Sequence, residues 1–374
     1  MADYVIIGGG VYGCAVAWEL AQQGVDVCLL EAKTVGSGAS GGLGRRGVRA
    51  SGRDVRELPL MEEAYRLWPT LHEQLDGFVG YEQLGQLLLF EREQDRGPLE
   101  AQLWLQQQNG IESRWLSQAA VRELEPEISE QITGAIFTPE DGIADHTATT
   151  RSYARAAEKL GVDIREYTPA IQLERKNGRV TAVLTTQEER IDVKKGVLLV
   201  SNAHSQQFLL NEIGVRLPLW AMYPQVMHTE PLPFQPVRHL IGHAHRVLAI
   251  KPSPHNQVMI SGGWRGRLNQ VTNQVEPVAA QVEGNLAEAV SVYPSLAGAG
   301  VAEVSVERPE LICIDDVPIM DRFAGAENMV VATGWSGHGW ALAPAVAKHL
   351  AAWLLTGERP ARLQPFGYSR FFVK

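Results

Sequence analysis

The first residues that could do chemistry are three glycines near the N-terminus and an acid that follows them. Gly8, Gly10 and Gly13 have the spacing GxGxxG, and Glu31 comes 18 residues after the last of them. Gly8 allows a tight turn, Gly10 lets the backbone approach a pyrophosphate, and Gly13 lets a helix pack closely on a strand. Glu31 can accept hydrogen bonds from a ribose hydroxyl. These residue types at this spacing predict a site for an adenine dinucleotide.

The elements around the glycines have the order that such a site needs. The apolar run 4–7 predicts a buried parallel strand, the residues after Gly13 have helical spacing, and the run 25–30 predicts a second strand. The positive end of the helix dipole would then face a diphosphate. The alternative is a glycine turn in an α/β sheet that binds no nucleotide.

A second group of residues with chemical potential fills the segment 35–51, which is rich in Gly, Ser and Arg. Ser40 and Gly41 offer a hydroxyl and a backbone N–H to anions, and three guanidinium groups are available nearby. These arginines are Arg45, Arg46 and Arg49. Because the segment follows the predicted nucleotide-binding strand, we expect it to contact the cofactor, and one arginine to face a substrate carboxylate. The alternative is a solvated loop.

Length and composition bound the class of protein. A chain of 374 residues is too long for one ordinary core, and 45% hydrophobic with 21% charged residues is typical of a globular protein. The net charge of −9 disfavours a nucleic-acid surface. No apolar run is long enough to span a membrane, and the N-terminus is not expected to be a signal peptide. Three cysteines without CxxC spacing indicate reduced thiols, a cytoplasmic location and no metal site.

The rest of the chain predicts a fold with two interleaved domains. The apolar runs 197–201 and 328–334 again predict buried parallel strands, whereas strands with alternating apolar and polar residues dominate after residue 217. Shorter signals include a helix at 57–75, a cap at Ser117 and a hairpin turn at Asn177-Gly178. We expect an α/β protein with a discontinuous Rossmann-like domain and an antiparallel-sheet α+β substrate domain. Their predicted segments are 1–83, 140–215 and 310–374 for the first, and 84–139 and 216–309 for the second.

Three blocks of sequence together resemble the D-amino-acid oxidase superfamily of flavoproteins. They are the GxGxxG segment with Glu31, the strand and loop 197–205, and the segment 332–344, which contains Trp335-Ser-Gly-His-Gly-Trp340. Asp141-Gly-Ile-Ala-Asp145 and Arg308-Pro309 extend the likeness along the whole chain. Within the superfamily the chain resembles the sarcosine oxidase and glycine oxidase branch. There it is most similar to β subunits of heteromeric sarcosine oxidase, proline-type dehydrogenases and opine oxidase.

The resemblance implies FAD as the cofactor. The N-terminal unit would hold the ADP half, and the backbone near Ala170 would meet the adenine. The turn from Gly334 to Gly339 would lie against the flavin ring, where backbone N–H groups at a helix N-terminus stabilise negative charge. Within that turn the implied contacts are Gly334, Gly337, His338 and Gly339. His338 would either donate to the flavin or cap the helix.

The resemblance also implies the reaction. A hydride leaves the carbon that bears an amine and reaches flavin N5, and the resulting imine hydrolyses. Substrates of this kind include sarcosine, proline, hydroxyproline and opines. Arg49 stands where the sarcosine oxidases hold the substrate carboxylate, and Arg308 where the glycine oxidases hold it. The alternatives are a solvent or phosphate contact for Arg49, and an ion pair with Glu307 or Glu310 for Arg308.

Three departures from the family pattern bear on the details. Monomeric sarcosine oxidases attach FAD through a cysteine, and because Arg308 stands at that position we expect non-covalent FAD. Those enzymes also carry a lysine that speeds the reaction with oxygen, and an apolar residue near Met259 or Ile260 takes its place, which favours a dehydrogenase. In heteromeric sarcosine oxidase a histidine near the Gly-Ile-Ala segment carries FMN. His146 is at about that position, where it is either an FMN contact at a subunit interface or a turn or surface residue.

Two other functions stay open from the sequence. The same fold could oxidise a 2-hydroxy acid, which requires a base near N5. Candidate bases are His228, His243, His245 and His255. Alternatively, the chain could be a flavin subunit that acts only with a partner subunit or an external electron acceptor.

Overall fold

Two eight-stranded sheets form the framework of the protein, as seen in a computed structural model that describes residues 1–42 and 44–372. One sheet is mostly parallel and contains the N-terminal strand. The other is mostly antiparallel and is built from two separate parts of the chain. The predicted fold class, α/β with a second sheet domain, is confirmed.

The strands of the described residues, in chain order, are β1 (Ala2–Ile7), β2 (Val27–Leu30), β3 (Arg45–Val48), β4 (Gln86–Phe90), β5 (Arg114–Ser117), β6 (Gly134–Thr138), β7 (Gly142–Asp145), β8 (Asp163–Arg165), β9 (Ala170–Lys176), β10 (Arg179–Thr185), β11 (Arg190–Leu199), β12 (Leu219–Met222), β13 (Val226–Thr229), β14 (Leu240–His243), β15 (Ala249–Ser253), β16 (Gln257–Ser261), β17 (Arg267–Leu268), β18 (Val275–Glu276), β19 (Val301–Ser305), β20 (Glu310–Cys313), β21 (Ile319–Arg322) and β22 (Met329–Thr333). The α-helices are α1 (Val11–Ala21), α2 (Leu58–Leu67), α3 (Leu71–Gln74), α4 (Arg96–Gln108), α5 (Gln118–Leu124), α6 (His146–Lys159), α7 (Ser205–Ile213), α8 (Ala279–Val292) and α9 (Gly339–Thr356).

The parallel sheet has the strand order β21-β22-β11-β1-β2-β8. Strand β1 pairs in parallel with β2 on one side and β11 on the other, and β22 is parallel to β11. Helices α1 and α9 pack on one face and bury an almost continuous set of apolar side chains there. Burial on both faces explains why these strands are apolar throughout instead of alternating.

Some local predictions are confirmed and others are wrong. Ser117 caps α5, and Asn177-Gly178 joins β9 to β10 as a hairpin. The sequence pattern predicts an antiparallel meander of short strands at 163–166, 170–176, 179–185 and 189–193, followed by a separate strand at 197–201. Instead, one long strand, β11, spans most of 189–201, and β8 joins the parallel sheet. The helix expected at 57–75 is interrupted by a 3₁₀ turn at Trp68–Thr70, because Pro69 has no backbone N–H to donate to the hydrogen bonds of a continuous α-helix.

The second sheet has the order β19-β13-β16-β15-β14-β4-β6-β5. Its neighbours are antiparallel except for β4 and β14, which pair in parallel. Its apolar face packs against α8 and α5. All eight strands come from the segments 84–139 and 216–309, which supports the predicted division of the chain; the division itself stays a proposal.

Two short ribbons lie where the sheets meet. Strand β3 pairs with β7, and β12 pairs with β20. Because β3 ends at Val48, this ribbon carries Arg46 and places Arg49 directly after it. In the described part of the chain, no helix is both long and apolar enough to cross a bilayer.

Asn328, just before β22, links the parallel sheet to strand β10 through hydrogen bonds. Its side chain accepts a hydrogen bond from Val180 N at 2.7 Å and donates to Val180 O at 3.0 Å. Asn328→Ala leaves both buried groups unpaired, so we expect a loss of about 2–3 kcal/mol and a lower melting temperature. Asn211→Ala, on the exposed face of α7, is the matched control and should change stability by less than about 0.5 kcal/mol. Equal melting temperatures for the two variants would contradict this role.

Candidate cofactor and substrate site

The GxGxxG turn joins β1 to α1 in the way the sequence predicted. Gly8 has a φ of +116°, which only glycine adopts readily, and a Cβ there would lie 2.8 Å from Val200 O. A Cβ on Gly13 would overlap the carbonyl oxygen of Gly8, so α1 can approach β1 only with glycine at this position. Gly10 is the N-cap residue of α1 and has open space where a side chain would be. The helix N-terminus is therefore presented to a ligand.

Glu31 lies directly after β2 and next to this turn. Its Oε2 accepts a hydrogen bond from Gly9 N at 2.7 Å, and its Oε1 accepts one from Lys33 N at 2.8 Å. Each carboxylate oxygen keeps a further lone pair for a ribose hydroxyl. The backbone of Thr168 donates to Glu31 O at 2.8 Å, which brings the segment just before Ala170 beside the same end of the sheet.

A line of contacts continues from the first turn to the C-terminal turn. Gly36 N donates to Gly9 O at 3.0 Å, and Ser40 Oγ donates to the carboxylate of Glu310. Tyr12 stacks on Trp335 with ring centroids 3.8 Å apart and donates its hydroxyl proton to Gly339 O. The strand ends of β1 and β22 therefore share one cleft.

The residues of this cleft fit an FAD molecule. Glu310 Oε1 and Asn202 Oδ1 are buried and have no hydrogen-bond partner, which is costly unless a ligand supplies a donor. The sugar and ribityl hydroxyls of FAD are such donors. Burial raises the pKa of Glu310 to about 7, although a hydrogen bond from Ser40 acts in the opposite direction. The sequence analysis gave neither residue a role in the cofactor site: Asn202 lies within the block 197–205, and Glu310 was named only as a possible ion-pair partner of Arg308.

The loop that follows Glu31 is shaped by one of its own arginines. Arg46 donates to the carbonyl oxygens of Gly41 and Gly42, so this guanidinium orders the loop. Burial lowers the pKa of Arg46 to about 10, with Arg308 acting in the same direction. Arg45, by contrast, forms an ion pair with Glu82 at 2.7 Å on the surface. Of the three arginines, only Arg49 stays a candidate for the substrate carboxylate.

Arg49 is held in place by the backbone around it. Asp141, which is fully buried, accepts Ala50 N at 2.6 Å and also accepts the hydroxyl proton of Tyr65. Arg49 itself donates to Ser51 O at 2.5 Å, and no described carboxylate oxygen lies within the 4.0 Å of an ion pair. Burial lowers the pKa of Arg49, with Arg53 acting the same way. Asp141 and Glu57 act on Arg49 from beyond that ion-pair distance, so the guanidinium keeps N–H groups that a bound anion could pair with.

His338 is the N-cap residue of α9, as the capping alternative expected, but its side chain makes no capping hydrogen bond. Its carbonyl oxygen accepts a hydrogen bond from Arg53 NH2 at 2.8 Å. Arg53 also donates to Arg49 O, and this arginine therefore ties the Arg49 backbone to the turn of His338. Burial lowers the pKa of His338 to about 3, so the ring is neutral at pH 7. The turn begins at Gly334, with a φ of +74°, and passes Gly337, which has open space beside it.

Lys251 is a residue of the substrate end of the cleft that the sequence analysis missed. It lies on β15 directly opposite Met259 on β16, so the lysine faces the side of the sheet where an apolar residue was expected. Burial lowers the pKa of Lys251 to about 7, and Arg46 and Arg49 lower it further. No described carboxylate lies within ion-pair distance of its Nζ. Lys251 and Arg49 therefore place two cations close together.

Arg308 lies near Arg46 and His146, since its charge lowers the pKa of both. Its Nε is 3.5 Å from Glu307 Oε1, which is the ion pair given as its alternative, while its buried NH1 has no partner. His146 is only 4% exposed and its ring packs edge-on against Trp340 at 5.6 Å. Burial lowers the pKa of His146 to about 3. His146 is therefore a buried residue at the start of α6, and the expectation of a turn or surface position is wrong.

The four histidines proposed as bases are in different places. His228, on β13, has its pKa lowered by burial and is close enough to Arg46 and Lys251 to interact with them. His243 and His245 face Glu91 at the end of β4, and His255 lies in the turn before β16 with a φ of +60°. Only His228 belongs to the candidate site.

The comparisons with known proteins agree with this geometry. The chain belongs to the FAD dependent oxidoreductase family, whose model matches residues 3–353. It is therefore an FAD-dependent oxidoreductase. It is 26% identical to the sarcosine oxidase subunit beta of Arthrobacter sp., over 99% of this chain and 91% of that protein.

Solved structures show the same fold along the whole chain. The L-proline dehydrogenase from P. horikoshii superposes with a TM-score of 0.89 at 21% identity, and covers 99% of this chain and 97% of that one. The glycine oxidase from Geobacillus kaustophilus superposes with a TM-score of 0.85 at 23% identity, over 100% of this chain and 99% of that one.

Gly13→Ala tests the close approach on which the cofactor cleft depends. The new Cβ would overlap Gly8 O, so we expect α1 to shift at a cost of at least about 1–3 kcal/mol. The purified variant should contain much less flavin per protein, as measured by the ratio of flavin to protein absorbance. Gly97→Ala, in the first turn of α4 with open space around it, is the control and should keep the full flavin content. Equal flavin content in both variants would contradict the claim that flavin binding depends on the close approach of α1 to β1.

Proposed function

We propose that the protein oxidises an amine or amino acid that carries a carboxylate, such as sarcosine, proline, hydroxyproline or an opine. The observation that carries this proposal is the pair of cations Arg49 and Lys251. No described carboxylate lies within ion-pair distance of either side chain, and Arg49 is close enough to His338, in the turn from Gly334 to Gly339, to lower its pKa. The 26% identity to a sarcosine oxidase subunit supports the same class of substrate. Bound FAD would supply the hydride acceptor, N5, and the amine carbon would become an imine.

The residues of the chain would position the substrate for that step. Arg49 is the group best placed to bind a carboxylate through two parallel hydrogen bonds, and the Asp141 anchor would fix its backbone. Lys251 would add positive charge at the same end of the substrate. His338 is neutral and its carbonyl is engaged by Arg53, so it would contribute shape and not charge. A neutral amine needs no side-chain base before it loses a hydride.

The cofactor-binding residues carried over from the family are proposed as a set. They are Gly8, Gly10, Gly13, Glu31, Ser40, Gly41, Ala170, Gly334, Gly337, His338 and Gly339. We propose non-covalent attachment of FAD, because the thiol of Cys313 is buried and burial raises its pKa to about 11. A thiol that stays protonated is a poor nucleophile.

A second flavin and a partner subunit are weaker proposals. The relative from Arthrobacter sp. is named as a subunit, which supports a heteromeric complex for this chain. An FMN contact at His146 would require Trp340 to move, since the ring packs against that side chain. We therefore favour a role of His146 in packing.

A 2-hydroxy acid is the second candidate substrate, and His228 is the observation that favours it. Burial lowers the pKa of this histidine, so at neutral pH it could accept the hydroxyl proton of an alcohol. The two substrate classes differ in their need for that base. His228→Gln should abolish alcohol oxidation and spare amine oxidation.

An anaerobic absorbance screen of the flavin-loaded protein tests the proposed function. We expect the flavin band to bleach with at least one of sarcosine, glycine, the prolines, the hydroxyprolines or an opine. In Arg49→Gln the second-order rate of bleaching should fall by about a hundredfold, as expected for losing a charged hydrogen-bonded contact of about 3 kcal/mol. Arg151→Gln, an exposed position on α6, is the control.

Each outcome of the screen has a distinct meaning. Bleaching by 2-hydroxy acids alone would overturn the amine proposal, and no bleaching at all would point to a required partner subunit. Fast recolouring in air would identify an oxidase, whereas slow recolouring would identify a dehydrogenase that passes electrons to another acceptor.

The pH dependence of ligand binding tests the role of Lys251. Since its pKa is about 7, the lysine is charged below pH 7 and neutral above it. The affinity for (methylthio)acetate, a carboxylate without an amine to oxidise, should fall by about tenfold as the pH rises through 7, equivalent to about 1.4 kcal/mol. Perturbation of the flavin spectrum reports the binding. Lys251→Met should remove this dependence, and Lys176→Met, on the exposed end of β9, should keep it; an unchanged profile in Lys251→Met would refute the role.

A further inference from the structure

Three side chains that commonly bind metal ions converge at one edge of the second sheet, outside the candidate site. Glu91 follows β4, His243 ends β14, and His245 comes two residues later. Because β4 and β14 are parallel neighbours, their carboxyl ends lie side by side. One ligand atom from each of the three side chains lies within 4.8 Å of the others.

The spacing of these atoms suits a coordinated ion better than direct hydrogen bonds. His243 Nε2 is 3.6 Å from Glu91 Oε1, and His245 Nε2 is 3.7 Å from Glu91 Oε2. Both distances exceed those of hydrogen bonds. Two ligands bound to one tetrahedral zinc ion at about 2.0–2.1 Å are about 3.4 Å apart. A small contraction would therefore bring each histidine nitrogen and its Glu91 oxygen to the separation of two ligands on one zinc ion.

The two imidazoles are prepared for this role to different degrees. His245 Nδ1 lies 2.7 Å from Asp95 Oδ2, and because an ionised carboxylate can only accept, Nδ1 carries a proton, which leaves Nε2 as the nitrogen that a metal ion would bind. This carboxylate–histidine arrangement is what orients metal-bound histidines in general. The side chain of His243 is 0% exposed, and its Nε2 points at Glu91 without a hydrogen-bond partner.

Two features oppose metal binding and limit its strength. The first is Arg246, which donates to Glu91 Oε1 at 3.0 Å and to Glu91 Oε2 at 2.9 Å. The same guanidinium also donates to Glu288 at 2.7 Å, and each Glu91 oxygen keeps a lone pair for an ion. His243 Nδ1 faces the N–H groups of His245 and Arg246 at 3.3 Å each. Coordination through Nε2 would move the ring proton to Nδ1, where it would face these two N–H groups, and this cost limits the affinity for the ion.

We propose that Glu91, His243 and His245 bind one divalent ion of borderline softness, zinc in the first place, with a fourth position for water. The expectation of no metal site rested on cysteine spacing and could not anticipate this set, since Glu91 is far from the histidines in the chain. The ion links the ends of β4 and β14. Through Arg246 and Glu288 it also joins them to α8.

Zinc titration of the flavin-loaded, chelator-treated protein tests this proposal. A competing chromophoric chelator gives the affinity, and elemental analysis gives the stoichiometry, for which we expect one zinc per chain. Glu91→Gln and His245→Ala should each abolish this site. Asp95→Asn should weaken it by about 10- to 100-fold, because the orienting carboxylate is lost. His72→Ala, at an exposed position on α3, should bind zinc as the parent protein does.

The proposal is overturned if the parent protein binds no zinc in competition, or if Glu91→Gln and His245→Ala bind it unchanged. Flavin content and circular dichroism establish that the variants are folded. If the two ligand variants fail to fold, Asp95→Asn decides: an affinity equal to that of the parent protein overturns the site. X-ray absorption at the zinc edge should show two imidazole ligands, and a shell without imidazole would also refute the assignment.

Discussion

Parallel pairing of β1 with β2 on one side and β11 on the other is the constraint from which the cofactor site follows. Because β22 continues the parallel order beside β11, the carboxyl ends of β1, β11 and β22 lie on the same side of the sheet as that of β2. The turns that follow them are the GxGxxG turn, the turn at Asn202 and the turn at Gly334. Ligands of open parallel sheets bind beside such carboxyl ends. No loop has to create this cleft, because the strand order already does.

Electrostatics then distinguishes the two ends of the cleft. At the dinucleotide end, the α1 N-terminus and Glu31 present a partial positive charge and a hydroxyl acceptor. At the other end, Arg49 from the segment after β3 and Lys251 from β15 bring two cations together from separate layers. Neither cation has a described carboxylate within ion-pair distance, so keeping both charged costs free energy, which an anionic substrate would recover. The lowered pKa of Lys251 is the sign of that cost.

Buried polar atoms without hydrogen-bond partners lie at both of the ligand sites described above. Glu310 Oε1 and Asn202 Oδ1 lie where a dinucleotide would supply donors, and His243 Nε2 lies where an ion would supply a partner. Asp141 is the contrasting case, since it is fully buried yet accepts hydrogen bonds from Ala50 and Tyr65 and so serves the framework. Satisfied groups of this kind fix the backbone, whereas unsatisfied ones indicate where a ligand would bind.

The sequence by itself determined what depends on neighbouring residues. The GxGxxG turn with its strand, helix and acid, the cap at Ser117 and the hairpin at Asn177-Gly178 are local, and glycine conformation or side-chain capping decides each of them. The family resemblance extended this reading to the fold class and to FAD.

Only the tertiary structure decided which distant residues meet. Lys251 became part of the site because antiparallel pairing sets it opposite Met259, on the face where an apolar side chain had been expected. Glu310 meets Ser40, and Glu91 meets His245, across long stretches of chain. These contacts depend on strand order and register, which are set by the packing of whole sheets and leave no local pattern in the sequence.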